Sequence, residues 1–474
     1  MSVTIISIGG TGHRITKAII HFLAMGVIDV NDDINLISID SDINNGALDE
    51  LSGLVKLYNE IPLCNKIFKN KISFPIQDSN NGSFNINLSL QQTNFSNIIN
   101  KNSFSNLKSV IEFLYTEDEL TTQLNGGFYG HPTIGTYIIT NHLNKHEPWK
   151  KFNNELQETD KVLIIGSAFG GTGASGIPIV VQQLYNNTTD RKVRPKIGVM
   201  FVMPYFNVSP NNTVNNGLNP DGQTFLPKTK NILEIYHQQN FIHMVDNFYI
   251  IGEDMPFTSM SYNAEGFAQK NTPHPLELYA ATALDHFIDN DGNHRVYCTA
   301  KSENSGNAIY DFQMFFKGDI KNTAIKLIVF TKLAILFNRV YYHEIIKKIN
   351  KRHNYISDNY HVETKKTYEY FNSFINWLYY MSDNNNMNLF NFSKNGKYTD
   401  FGDYQNEVVQ FDFDLLFKDR DLNRKNFNAI YDKFSRYNAN NNDYFEFLDE
   451  LYEIIYDKDM KFYNKEIRVR KDNE

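Results

Sequence analysis

A glycine-rich turn near the middle of the chain has the residue types that bind a phosphate group. The turn, Gly-Gly-Thr-Gly at 170–173, follows an apolar run at 162–165 that is typical of a buried strand. Apolar residues at helical spacing follow at 179–184, so the sequence predicts strand, turn and helix. Such a turn points bare backbone N–H groups at an anion. An ordinary tight turn without a ligand is the alternative interpretation.

Two well-known catalytic loops do not fit this turn. A Walker A loop needs Lys and then Ser or Thr after its last glycine, whereas Ile177 and Pro178 follow Gly176 here. A nucleophile elbow needs Gly-x-Ser-x-Gly, but Ile177 stands two residues after Ser175. The turn therefore indicates a phosphate site of another kind, to which the hydroxyls of Thr172 and Ser175 can add donors.

Two further glycine-rich turns occur earlier in the chain. One begins at Gly9, between a strand predicted over 3–8 and a predicted helix. As a dinucleotide fingerprint this turn is incomplete, because Ile15 stands where the third glycine of G-x-G-x-x-G belongs. The other turn spans 125–135 and precedes an amphipathic helix predicted from 137. The sequence thus repeats one kind of anion-binding turn three times.

Polar residues follow the second predicted strand, 34–39. Asp40, Ser41 and Asp42 come directly after it. A carboxylate at the tip of the second strand usually contacts a ribose or a metal ion in such folds. The alternative interpretation is that these residues cap the N-terminus of the helix that starts near Ala47.

In their order and spacing these loops resemble those of the tubulin/FtsZ superfamily. Residues 170–173 resemble part of its signature loop, Gly-Gly-Gly-Thr-Gly-[Ser/Thr]-Gly, and 7–14 resemble its first loop. Residues 40–42 resemble its Asn-Thr-Asp loop, and 125–135 its γ-phosphate loop. The resemblance covers about residues 3–290 and is closest to the divergent prokaryotic tubulin-like proteins.

The resemblance implies that the chain binds GTP, and it also indicates which residues contact the nucleotide. Pro204 follows the strand whose loop reaches the ribose in the superfamily, and Glu253 stands where a polar side chain meets the guanine. Tyr279 stands where an aromatic ring stacks on the base, with simple core packing as its alternative role. The full set of implied nucleotide-binding residues is Gly9, Gly10, Thr11, Gly12, His13, Arg14, Asp40, Ser41, Asp42, Gly127, Gly130, His131, Phe169, Gly170, Gly171, Thr172, Gly173, Pro204, Glu253 and Tyr279.

The chain departs from the superfamily pattern at several of these positions. Phe169 replaces the first glycine of the signature loop, and His13 and Arg14 are departures in the first loop. Arg14 can place a positive charge near the phosphates, a change that would matter for hydrolysis.

The resemblance leaves GTP hydrolysis open. In the superfamily an acidic loop, Asn-x-Asp-x-x-Asp, enters the next subunit's site and aligns the attacking water. Only Asp319 matches here, since Met314 and Phe316 occupy the Asn and the first Asp. Asp319 is therefore the candidate catalytic residue, with helix capping as its alternative role. The resemblance also implies Mg²⁺ with the nucleotide and head-to-tail assembly into an oligomer or filament.

Composition gives no support for several functional classes. The net charge of −8 and the pI near 5.9 give no general electrostatic reason to bind nucleic acid or anionic lipid. Two cysteines without a motif suit a reducing cytoplasm. His142 and His146 share a helical face without a third ligand, so no metal site of their own is predicted. No apolar run approaches the roughly 20 residues that a membrane span needs.

The predicted fold is α/β, with a Rossmann-like parallel sheet of the tubulin/FtsZ GTPase type and a mainly helical C-terminal domain. We expect the nucleotide-binding domain at 1–290, with an insertion at about 60–120, and the C-terminal domain at 291–474. Within the insertion, 76–106 is interpreted as a surface hairpin or loop. The C-terminal domain is a candidate surface for a protein partner. Its helices are predicted at 322–352, 360–381, 424–437 and 443–457.

Two other functions stay open at this stage. A Rossmann oxidoreductase that uses NAD or FAD would need Gly10, Gly12 and Asp40, but it leaves the other two glycine turns without a role. A non-catalytic scaffold would keep a nucleotide site and bind a partner through its helical tail.

Overall fold

The computed structural model describes most of the first 300 residues and parts of the remainder. The described residues are 2–28, 30, 33–42, 45–76, 84–88, 90, 93–101, 108–122, 124, 127–128, 130–186, 194–208, 222–252, 258–260, 272–289, 295–299, 321–338, 358–385 and 448–457.

A parallel β-sheet organises the described part of the chain. Its strand order is β10-β8-β6-β5-β1-β2-β3, and β4 also pairs with β2. Every pairing in this sheet is parallel, and β7 and β9 form a separate two-stranded sheet. The predicted α/β fold with a Rossmann-like parallel sheet is therefore confirmed. The strands are β1 (Val3–Ile8), β2 (Ile34–Asp40), β3 (Ile72–Ser73), β4 (Asn85–Asn87), β5 (Lys161–Ser167), β6 (Lys196–Val202), β7 (Phe206–Val208), β8 (Asn247–Ile251), β9 (Thr258–Met260) and β10 (Arg295–Thr299).

Helices cover both faces of the sheet. Parallel strands are buried on both faces, and β1 and β5 are accordingly buried throughout and mostly apolar. The helices are α1 (Gly9–Ala24), α2 (Gly46–Glu60), α3 (Phe95–Lys101), α4 (Lys108–Leu114), α5 (Glu117–Thr121), α6 (Pro132–Leu143), α7 (Glu147–Glu155), α8 (Gly171–Asn186), α9 (Gly222–Gln238), α10 (Pro275–Asp289), α11 (Lys321–Leu336) and α12 (Asp358–Asn385), and residues 448–457 are also helical.

The alternation of side chains along the strands divides the core into two halves. Along β5, Leu163 and Ile165 pack with α1, α2 and α10. Val162 and Ile164 point to the opposite face, where they pack with α6, α8 and α9. The sheet thus holds α1 and α8 on opposite faces, while both helices begin at its carboxyl edge.

The described C-terminal helices pack on the α1 and α2 face. Tyr370 of α12 is fully buried, and its hydroxyl oxygen lies 3.0 Å from Nδ1 of His21 in α1. Asp449 accepts hydrogen bonds from the backbone N–H groups of Asn65 and Lys66, at 2.7 and 2.8 Å. Apolar side chains of α11, α12 and 448–457 belong to the same core as those of α1 and α2.

The structure differs from the prediction in the segment 76–106 and at the domain boundary predicted at 290. The prediction of a surface hairpin or loop within 76–106 is wrong for the described residues around β4, because β4 pairs in parallel with β2 and buries Ile86. The boundary predicted at 290 lies just before β10, which is a strand of the main sheet. The first part of the helix predicted at 322–352 is observed as α11, and 360–381 lies within α12. The last part of the helix predicted at 443–457 is helical at 448–457, whereas 339–352 and 424–437 lie outside the described residues.

Candidate functional site

The glycine turn at 9–12, called the first turn from here on, touches the turn at 170–173, called the second turn, at the carboxyl edge of the sheet. β1 and β5 are neighbouring parallel strands, so the turns that follow them start side by side. Gly9 has a φ of +70°, and a Cβ placed on it would lie 3.3 Å from Cβ of Thr172 and 3.4 Å from the Gly173 amide nitrogen. A side chain at Gly9 is thus disfavoured by its backbone conformation and by its neighbours.

The glycine turn that contains Gly127 and Gly130, called the third turn from here on, joins the same cluster. A Cβ placed on Gly171 would lie 2.8 Å from Cβ of Phe128 and 3.1 Å from the Gly130 amide nitrogen. A Cβ placed on Gly127 would lie 3.6 Å from the hydroxyl oxygen of Ser41. The three glycine turns and the end of β2 therefore form one contiguous group of loops. We call this group the loop cluster: residues 9–12, 40–42, 127–128, 130–131 and 170–173.

Three helices begin in the loop cluster, and none of them has an acidic residue in its first turn. α1 starts after Ile8 and α6 after His131, in both cases without a capping hydrogen bond from a side chain. α8 starts at Gly171, directly after Gly170, which has no side chain to cap it. Elsewhere, Asn45 caps α2, Thr116 caps α5 and His146 caps α7. The N–H groups left without side-chain caps are those that can bind an anion at this edge.

Part of the loop cluster is open to ligands. Gly10, Thr11 and Gly170 are partly exposed, whereas Gly12 and Gly173 are buried where the helices pack on the strands. The Ser41 hydroxyl oxygen is buried and has no hydrogen-bond partner among the described residues. A buried hydroxyl normally has a partner, so Ser41 is a candidate ligand contact.

Asp40 is a candidate contact for a ligand, and it also holds the loop after β2 in place. Its carboxylate accepts hydrogen bonds from the Asp42 N–H at 3.1 Å and from Nδ2 of Asn45 at 3.0 Å. Burial raises the pKa of Asp40 to about 7, although these hydrogen bonds oppose the shift. Asn45, not Asp40 or Asp42, caps α2, so the helix-cap interpretation of the two aspartates is wrong.

His13 lies beneath the loop cluster in a chain of hydrogen bonds. Its Nε2 is 2.7 Å from the Ser38 hydroxyl, which donates to Oδ1 of Asn85 at 2.9 Å. Ser38 therefore accepts from Nε2–H, and Nδ1 is the unprotonated nitrogen, 3.6 Å from Oδ2 of Asp40. Burial lowers the pKa of His13 to about 3, so the imidazole is neutral at neutral pH. His13 orders the β2 end from inside the protein.

Arg14 does not fit the predicted role of a positive charge at the phosphates. Its Nε donates to Oε1 of Glu277 in α10 at 2.6 Å, and a second guanidinium nitrogen also contacts that oxygen. The guanidinium donates further to the Thr272 carbonyl at 2.7 Å, and the Tyr205 hydroxyl donates to Glu277 at 3.3 Å. The prediction is wrong because a buried guanidinium needs a buried counter-charge, which α10 supplies.

Other predicted residues have packing roles that the structure makes visible. Phe169 is buried against Phe225, with ring centroids 5.0 Å apart, so its ring belongs to the aromatic core. Ser175 donates to the Gly171 carbonyl at 2.6 Å within α8, so it is not the predicted extra donor to a ligand. Tyr279 is partly buried against the core formed with α1 and α2. Pro204 lies in the loop after β6 and is buried. Glu253 and Asp319 lie outside the described residues.

Sequence reasoning missed two residues at the third turn. Glu119 of α5 accepts a hydrogen bond from Nδ1–H of His131 at 3.0 Å. The Lys228 ammonium of α9 donates to the Gly130 carbonyl at 3.0 Å. A capping box, Thr116-x-x-Glu119, was the only local signal for Glu119. Lys228 belongs to no motif, and only the tertiary fold brings it to the cluster.

Comparison with known families and curated proteins does not assign this site. No protein-family model matches the chain, and no curated protein matches its sequence. In the part of the chain that the structure describes, no helix combines the length and apolar character needed to cross a membrane. The site is therefore interpreted from the chain's own residues.

A divalent cation fits the loop cluster only together with a phosphate ligand. The described residues include no group of three or more His, Cys, Asp or Glu side chains that could hold a metal ion. Mg²⁺ in nucleotide sites takes one or two carboxylates and completes its shell with phosphates and water. Asp40 and Asp42 bring oxygen donors of that kind to the end of β2.

Proposed function

We propose that this chain binds GTP at the loop cluster, in the manner of the tubulin/FtsZ superfamily. The observation that carries the proposal is the contact among three glycine turns, each of which leads into a helix without an acidic first turn. A nucleoside triphosphate has several anionic groups in a row. Three neighbouring helix N-termini suit such a ligand because each can bind one phosphate through backbone N–H groups.

The geometry favours a triphosphate over a dinucleotide cofactor. A Rossmann oxidoreductase needs one glycine turn and a carboxylate at the end of β2. The second and third turns would then have no ligand, although Gly171 and Gly130 adjoin the first turn. The Asp40 carboxylate is also engaged by Asp42 and Asn45. NAD or FAD binding therefore leaves more of the site unexplained.

We further propose that Mg²⁺ accompanies the nucleotide and that copies of the chain assemble head to tail. Gly10, Thr11 and Gly170 are partly exposed, so a bound nucleotide would be accessible at the protein surface. A second copy could then cover it, as in the superfamily. Hydrolysis is treated separately below, since Asp319 lies outside the described residues.

Equilibrium dialysis of the full chain with GTP, ATP and NAD⁺, each with Mg²⁺, tests the proposal. We expect saturable binding of one GTP per chain and weaker binding of NAD⁺. Sedimentation at increasing GTP concentration should show a growing pelleted fraction. Saturable NAD⁺ or flavin binding without GTP binding would favour the oxidoreductase, and no saturable nucleotide binding would reject the proposal.

A further inference from the structure

A carboxylate of α5 and an imidazole of the third turn form a pair beside the place where the proposed GTP would carry its terminal phosphate. Nδ1–H of His131 donates to Oε1 of Glu119 at 3.0 Å. Glu119 is itself held in place, because its other carboxylate oxygen accepts from the Thr116 N–H at 2.8 Å. The two side chains are 24% and 15% exposed, so solvent and ligands reach them.

His131 stands directly beside the backbone groups that would bind the phosphate. It follows Gly130, whose amide nitrogen would be 3.1 Å from a Cβ on Gly171. It also precedes α6, and its side chain makes no capping hydrogen bond to that helix. The hydrogen bond to Glu119 uses only Nδ1, and the second ring nitrogen, Nε2, does not cap α6. His131 thus presents one oriented nitrogen to Glu119 and leaves the other for a ligand or a water.

We propose that His131 is the catalytic base for GTP hydrolysis within a single chain, and that Glu119 positions it. The inference rests on the proposed GTP site. It differs from hydrolysis completed by an acidic loop of a neighbouring subunit, because both residues belong to the chain that binds the nucleotide.

The proposed step is an in-line attack by water. The water oxygen bonds to the γ-phosphorus, and a water proton moves to Nε2 of His131. The bond from the γ-phosphorus to the β,γ-bridging oxygen breaks, and its electron pair leaves with GDP. The proton then passes from Nε2 to inorganic phosphate or solvent. Glu119 keeps the proton of the resting imidazole on Nδ1, so that Nε2 has a free lone pair.

The surroundings favour an imidazole that is neutral before the reaction. Burial lowers the pKa of His131, the hydrogen bond to Glu119 opposes this shift, and the charge of Lys228 adds to the lowering. The Lys228 ammonium, 3.0 Å from the Gly130 carbonyl, also places a positive charge beside the same loop. A fixed positive charge there stabilises negative charge that develops on the phosphate oxygens.

Single-turnover hydrolysis by the full chain, in excess over γ-labelled GTP, tests the inference. The protein concentration is kept where sedimentation shows monomers only. We expect His131→Asn to lower the rate by about 10²- to 10⁴-fold, the usual contribution of general base catalysis. GTP affinity, measured by equilibrium dialysis, should change little, because Asn is a good N-cap and preserves the start of α6.

Each test variant has a matched control for structural damage: His146→Asn for His131→Asn, and Glu117→Gln for Glu119→Gln. His146→Asn makes the same substitution at the N-cap of α7, away from the loop cluster, and should keep the wild-type rate. Glu119→Gln keeps the capping box, since Gln serves as well as Glu at that position, but it removes the charge beside His131. Glu117→Gln makes the same change two residues away, at an exposed position of α5, and should have no effect.

The pH dependence of the hydrolysis rate distinguishes a positioning role of Glu119 from a purely structural role. The wild-type rate should fall on acidification only below about pH 6.5, the ordinary pKa of histidine, because burial lowers the pKa of His131. Glu119→Gln removes a group that raises this pKa, so the acid limb should move to lower pH while the plateau rate falls. An unshifted limb in Glu119→Gln would reject the positioning role.

Three results would overturn the base assignment while the GTP site stands. The first is His131→Asn hydrolysing bound GTP at the wild-type rate. The second is a wild-type protein that binds GTP but turns it over only when assembled. The third is a wild-type protein that binds GTP without hydrolysing it under any of these conditions. Absence of GTP binding in dialysis would instead reject the proposed function itself.

Discussion

Replacing Glu277 by alanine is expected to lower the free energy of unfolding by about 3–5 kcal/mol, because it leaves a buried guanidinium without its counter-charge. Arg14 and Glu277 are both buried, and they join α1 to α10 across 263 residues of sequence. The Tyr205 hydroxyl also loses its acceptor in this variant. Urea unfolding followed by circular dichroism measures the change.

A partly exposed ion pair between α1 and α2 gives the matched comparison. Lys17 and Glu50 lie 2.8 Å apart, with side chains 18% and 31% exposed. Glu50→Ala should therefore change the free energy of unfolding by no more than about 1 kcal/mol. The double variant Arg14→Met/Glu277→Met removes both buried charges and should recover most of the lost stability. Equal losses in Glu277→Ala and Glu50→Ala would contradict the buried pair.

Replacing Tyr370 by alanine is expected to cost about 3–5 kcal/mol of stability, the range found when a large buried aromatic side chain is truncated. Tyr370 is fully buried between α12 and the α1–α2 layer. Its ring centroid is 5.1 Å from that of Phe68 and 6.1 Å from that of Tyr58, and its hydroxyl meets His21. The substitution would empty this space and leave Nδ1 of His21 without that partner.

Tyr380→Ala makes the same change on the same helix at a half-exposed position. It should alter the free energy of unfolding by no more than about 1 kcal/mol, as surface substitutions usually do. If α12 is part of the core around α1, Tyr370→Ala shifts the whole unfolding transition. A transition of Tyr370→Ala that coincides with that of Tyr380→Ala would show that α12 is not docked there.

Local sequence patterns were sufficient to predict the elements that form the loop cluster. The strand predicted over 3–8 is β1, and the apolar run at 162–165 lies within β5. Each glycine turn stands next to a helix, as the change from strand to helical spacing indicates. Because neighbouring parallel strands end at one edge, the proximity of Gly9 and Gly171 also follows from the topology.

Contacts between distant parts of the chain could not be predicted in the same way. β4 has three residues with asparagine at both ends, and its burial comes from pairing with β2. Nothing near Arg14 in the sequence indicates that Glu277 will reach it. The Glu119–His131 pair likewise depends on how α5 packs beside the third turn. These features depend on tertiary packing, which overrides local preference.

GTP titration of the wild-type chain and of four single glycine variants tests the central claim, that the three turns bind one ligand. In Gly9→Ala and Gly130→Ala the added side chain strains a backbone with φ of +70° and +76°, and in Gly171→Ala it meets Phe128. Strain of about 1–2 kcal/mol in the binding-competent loop predicts about five- to thirtyfold weaker GTP binding. Gly53→Ala is the control, since nothing lies within 4 Å of that position on α2.

Calorimetry should show one GTP site per chain in the wild type and in Gly53→Ala. Each of the other three substitutions should weaken GTP binding at that site. Wild-type GTP affinity in a folded variant of any one of the three turns would contradict the claim.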